Sequence, residues 1–119
     1  MPARDYRDLI AWRKAFDLAV SIHKETAMFP MDQRYGFTSQ LRRAGVSIPS
    51  NIAEGKGRNP KEFRRYLRIA LGSVKEAETQ ILISDRLGYF RQGQAAVLLG
   101  SASEVSRLIH GLSRSLRPM

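Results

Sequence analysis

Three interruptions decide what this chain can become. Phe29-Pro30, the run from Gly55 to Pro60 and the run from Gly88 to Gly93 cut the 119 residues into four segments. No segment alternates apolar and polar residues with period two for long, and each repeats its apolar residues at helical spacing. The expected fold is all-α, a single domain over residues 1–119. Short connections between four such helices favour an up-and-down four-helix bundle. A chain of this length buries roughly two-thirds of its extended surface, enough for one core without staples.

The segments differ in how much apolar face they carry. In the first, Leu9, Ala11, Trp12, Ala15, Phe16, Leu18, Ala19, Val20, Ile22 and Ala27 fall on an arc of about 200°. A helix packed on one side needs little more than about 100°, so part of this arc is expected to be buried between subunits. Ile10 and Met28 fall on its polar side. The second segment places Phe37, Leu41, Ala44, Ile48 and Ile52 on one face and holds Pro49 within it. Proline removes a hydrogen bond and predicts a kinked second helix, with Gly45, Ser47 and Ser50 leaving room for another backbone. The third has the clearest ends: Asn59 as N-cap, Pro60 at the first helical position and Gly88 just past the end. Its seam is Phe63, Leu67, Ala70, Val74, Ala77 and Ile81; Ser73 and Ser84 near that seam are expected to bond back to the carbonyl four residues earlier. The fourth, Gln94 to Leu116, repeats Leu98, Ala102, Val105, Ile109, Leu112 and Leu116 as a bundle seam.

The stretch Gly55-Lys56-Gly57-Arg58 has the composition of a phosphate loop without its grammar. A P-loop needs a preceding strand, four residues between its glycines, and Lys followed by Ser or Thr. Here one residue separates Gly55 from Gly57, and a helix leads in. A dinucleotide fingerprint fails too, because Pro60 stands where the third glycine belongs. The stretch reads as a corner between two helices. Asn51 and Glu54 beside it are expected to cap, or to bond with Ser47 or Ser50.

Three blocks, YRDLIAWRKAFDLAVSI, FTSQLRRAGVSIPSNIAEGKGR and EFRRYLRIALGSVKEAETQI, carry a family resemblance. They resemble the bacterial four-helix-bundle family that includes proteins encoded in intervening sequences of 23S rRNA genes. The likeness runs from about Tyr6 to Leu116, with Gln40 to Gly57 as its most specific part. The resemblance implies a cytoplasmic, non-enzymatic bundle assembling as a ring, a homo-oligomer that is usually a pentamer. It also implies a role in RNA or DNA binding. The pentameric accessory proteins of diversity-generating retroelements are similar in fold and partner a reverse transcriptase. Lys56 departs from the family pattern, which has an aromatic or aliphatic residue between the glycines.

Charge points the same way independently. Twenty basic residues face eleven acidic ones, a net of +9, and fifteen of the twenty are arginine, which suits bidentate phosphate contacts. Between Gln40 and Ala70, eight basic and two acidic residues leave +6 of that charge in about a quarter of the chain. On the third helix Lys61, Arg64, Arg65, Arg68, Lys75 and Arg86 share an arc of about 100°, a stripe about 37 Å long. Arg42, Arg43, Lys56 and Arg58 extend it. These ten are the expected nucleic-acid-binding residues. The bland alternative is a solvated face whose arginines pair with acids elsewhere. Tyr66 is expected in the core or at an interface rather than stacked on a base.

Little else carries chemistry. With no cysteine, disulfides, thiolate metal sites and cysteine nucleophiles are excluded. His23 and His110 have no ligand or base spacing around them. No catalytic residue, metal site or cofactor is expected, and neither a signal peptide nor a membrane span is read. The expected function is a non-catalytic accessory that binds structured RNA, or DNA, through phosphate. The alternative is an adaptor or scaffold ring for an acidic partner or a reverse transcriptase.

Overall fold

A computed structural model describes residues 5–118. Four α-helices follow in order: α1 (Ile10–Glu25), α2 (Phe37–Gly55), α3 (Pro60–Arg86) and α4 (Gln94–Ser115). Short 3-10 turns at Tyr6–Asp8, Thr26–Met28 and Met31–Gln33 flank α1 and fill the α1–α2 connection. No strand occurs among the described residues. Each helix packs against its neighbours in sequence and α4 closes onto α1, the contact pattern of an up-and-down bundle, in a body of 48 × 24 × 20 Å.

The seams are where the periodicity puts them. Phe63, Leu67, Ala70, Val74, Ala77 and Ile81 of α3 are all buried, as are Leu41, Ala44, Ile48 and Ile52 of α2. On α4, Leu98, Ala102, Val105 and Ile109 are buried, while Leu112 and Leu116 pack at the edge. Each fully buried Leu or Ile contributes on the order of 1.5–3 kcal/mol by leaving water. Asn59 caps α3, its Oδ1 accepting from Glu62 N at 2.9 Å. Gly88 follows its end with φ of 80°, a left-handed conformation that disfavours a side chain.

The connections carry core of their own, which helical periodicity does not reveal. Phe29 and Phe90, one in each of two turns, are both buried and meet edge to face at 4.9 Å. Tyr89 stacks beside Phe29 at 5.5 Å. These rings close the end of the bundle where the α1–α2 and α3–α4 connections come together.

Two serines depart from expectation. Ser73 does not bond back along α3; its Oγ shares a 2.9 Å hydrogen bond with Ser47 Oγ, across to α2. Asn51 completes that link, donating to Ser47 O at 2.8 Å and Ser47 Oγ at 3.0 Å. A partner on the facing helix outcompetes the local carbonyl because the two backbones run close. Ser84 Oγ is buried and accepts or donates nothing among the described residues.

Candidate nucleic-acid interface

The corner between α2 and α3 is built by contact as much as by turn chemistry. Gly55 is the last residue of α2 and is buried. A Cβ placed there would meet Tyr66 Cβ at 2.7 Å and Phe63 Cδ1 at 2.8 Å, so only glycine lets the two helices converge. Gly57 supplies the reversal, with φ of 98°. Tyr66 is half-buried against this junction. Its ring lies between two guanidinium groups, Arg58 at 4.9 Å and Arg65 at 5.1 Å from the centroid.

Both of those arginines are also neutralised. Arg58 reaches Glu54 at 3.2 Å and donates to its backbone carbonyl at 3.0 Å. Arg65 reaches Glu62 at 3.5 Å. Further along, Lys75 pairs with Glu78 at 3.4 Å. The acids lie outside the basic arc on a helical wheel, yet they reach into it because residues three and four apart are neighbours on a helix. These pairs are solvent-exposed, so each contributes little stability. Their effect is on the local charge a ligand meets.

Two more of the ten residues hold the fold. Arg42 Nε donates to Thr26 Oγ1 at 2.8 Å and its Nη2 to His23 O at 3.0 Å, tying α2 to the C-terminal end of α1. Arg64 Nη1 donates to Leu116 O at 2.8 Å, tying the start of α3 to the end of α4. Cations at helix C-termini meet unsatisfied carbonyls and a favourable dipole. Arg43, Lys56, Lys61, Arg68 and Arg86 remain, with no ion pair or side-chain hydrogen bond among the described residues. Lys61 and Arg68 stand on one exposed face of α3, about 10 Å apart along its axis.

A second exposed feature lies on the other side of α2. The surplus arc of α1 is uncovered: Phe16 is 47% exposed and Val20 38%. With Trp12, Val46, Pro49 and Ala53 they line an apolar groove of about 590 Å³ between α1 and α2. Gly45 lets α1 and α2 approach closely; a Cβ there would sit 3.0 Å from Ile22 Cδ1 and 3.6 Å from Ala19 Cα. The width of the α1 arc anticipates its α1 wall. Nothing in the α2 periodicity marks Val46 or Ala53.

Residues 7–111 match the family described as 23S rRNA-intervening sequence protein. Among solved structures, the chain is similar to a crystal structure of a protein with unknown function from the S23 ribosomal protein family of Bacteroides thetaiotaomicron. The two are 23% identical with a TM-score of 0.80, over 88% of this chain and 99% of that one. This likeness bears on the fold. None of the curated proteins matches the chain.

Proposed function

This chain belongs to the 23S rRNA-intervening sequence protein family, and from that premise we propose that it is a non-catalytic, cytoplasmic accessory that binds structured RNA, or DNA, through phosphate. The observation that carries this reading is the group of five cations, Arg43, Lys56, Lys61, Arg68 and Arg86, left without an internal partner among the described residues. Four of the five are exposed, Lys56 being half-buried and near Asp5, and an exposed cation that does not pair gains most from an external anion. The surface offers charge and no base-reading motif, so recognition is by phosphate spacing rather than by sequence. Arg58 and Arg65, already stacked on Tyr66 and paired, position the corner rather than supply free charge.

Assembly into a ring is part of the proposal. The uncovered α1–α2 groove supports it, because apolar area of this kind has no other means of leaving water. Pro49 lies in the wall of that groove and has no N–H for the Gly45 carbonyl, so a bend of α2 there would set the direction of its second half.

The test is a salt titration of RNA binding. Log affinity should fall linearly with log salt, at a slope near −0.9 per neutralised phosphate on duplex and −0.7 on single strands. Replacing Lys61 and Arg68 together by Glu should weaken binding across all sequences and reduce the slope by about two contacts per subunit. Arg13 and Lys14 of α1, already engaged with Asp8 and Glu104, are the control pair and should matter much less. Equal losses from both pairs would reduce the effect to diffuse attraction by net charge.

The second reading is a protein adaptor, a ring presented to an acidic partner or to a reverse transcriptase. It is favoured by the apolar groove, which an adaptor can present to another protein. No RNA binding by the unmodified protein at about 50 mM salt, where phosphate contacts are strong, decides for it.

A further inference from the structure

A cavity of about 390 Å³ lies between the α1–α2 connection and the first turns of α2, away from the corner. Its size is within the roughly 300–1,000 Å³ range of small-ligand sites. Arg34 and Arg42 line it together with Thr38 and Ser39, whose Oγ already donates to Gly36 O at 3.2 Å, and Pro30 with the edge of the buried Phe29 forms an apolar side. No carboxylate lines it.

The two arginines differ usefully. Arg42 is pinned: Thr26 Oγ1 gives its own proton to Ile22 O at 2.8 Å and accepts from Arg42 Nε, while His23 O holds Nη2. Of five guanidinium N–H groups, these contacts use two. The remaining donors are held in place at little further entropic cost. Arg34, at the end of the Met31–Gln33 turn, has no ion pair or side-chain hydrogen bond among the described residues. Behind them, the Thr38 and Ser39 N–H groups fall in the first turn of α2, where no intrahelical carbonyl is available. A fixed guanidinium, a free one and the Thr38 hydroxyl beside an apolar side suit a doubly charged phosphoryl group on a flat or apolar carrier.

We infer that this cavity binds a nucleoside phosphate monoester, through Arg34 and Arg42, either as a free nucleotide or as the 5′-phosphate end of a strand. The strand-end form rests on the nucleic-acid reading above; the free-nucleotide form does not. This site would add end recognition to the sequence-blind contacts of α3.

Three ligands separate the cases: adenosine 5′-monophosphate, and one short RNA made with a 5′-phosphate or a 5′-hydroxyl. The protein should prefer the phosphorylated RNA by about tenfold, as expected for charge-assisted hydrogen bonds to a terminal phosphate. Arg34→Ala should abolish that preference and leave binding of the hydroxyl RNA unchanged, whereas Arg107→Ala on α4 should preserve it. Arg42→Ala is unsuitable as the sole test because it also unties α1 from α2. If neither RNA binds, the nucleic-acid reading falls, and the nucleotide alone decides for the cavity. Shifts of the Thr38 and Ser39 amide resonances on adding the nucleotide, lost in Arg34→Ala, support the site. Absence of those shifts together with equal affinity for the two RNAs, or a preference retained by Arg34→Ala, overturns it.

Discussion

The α2–α3 corner and the α1–α2 groove use the same helix and meet water in opposite ways. At the corner, Lys56, Arg58, Lys61, Arg64, Arg65 and Arg68 crowd into a few turns, yet Glu54 and Glu62 take up two of them and the end of α4 takes a third. In the groove, Trp12 and Phe16 lie 5.1 Å apart on a wall that Tyr6 flanks and that is otherwise open among the described residues. The contrast teaches a rule about surplus. Excess charge is answered locally, by a carboxylate one turn away or by water, so a residue count overstates what is available to a ligand. Excess apolar surface is answered only in part, by Tyr6 packing on Trp12 at 5.3 Å, and what stays open among the described residues is left for another surface.

The strongest way to break this comparison is Phe16→Asp. If the groove is covered by another copy, a carboxylate in it must be desolvated or the contact must open. Light scattering should fall from several times the 13.5 kDa chain mass to a single chain, with helix content unchanged. An unchanged mass would separate the groove from assembly. At the corner the corresponding lever is steric: Gly55→Ala should destabilise by about 1–3 kcal/mol in denaturant unfolding, the usual cost of overpacking. A neutral result would mean that Phe63 and Tyr66 give way.

Gly72→Ala sharpens the steric argument. A Cβ at Gly72 meets nothing within 4 Å, and the site is mid-helix, so stability should rise by about 0.5–1 kcal/mol. A loss in the assembled protein would place this part of α3 under a neighbouring subunit. The smallest effect tests the local answering of charge. Asp5 accepts from Arg7 N at 2.9 Å and from its guanidinium, and this pairing lowers the Asp5 carboxyl from 3.8 to about 2. Because the folded value is the lower one, the contribution is present above pH 3.8 and is lost as pH falls through about 2. A carboxyl titration by NMR should show the depressed midpoint, and Arg7→Ala should return it towards 3.8.

Much of the fold was legible in advance, and the reasons are local. The α3 seam, the Asn59 cap and the Gly88 stop each depend on residues within a turn or two of one another. The surplus arc of α1 was legible for the same reason. The candidate site was less so. Arg42 and Arg64 have the same spacing signature as Lys61 and Arg68, and only a carbonyl on another helix distinguishes them. Phe29 and Phe90 sit beside turn residues, where periodicity is silent, and Arg34 lies in a 3-10 connection with no period at all.

By itself, then, the sequence determined four helices, both ends of α3 and the faces the helices bury, because helix geometry repeats every 3.6 residues and caps act within a turn, whatever surrounds them. Tertiary structure decided that Arg42 and Arg64 are spent on carbonyls of other helices, why Gly55 must be glycine, and that Ser73 bonds to α2 instead of its own helix. Those outcomes depend on the distance and rotation between helices. A long side chain chooses its partner only after the backbones are placed, and the placement is set by the whole core at once.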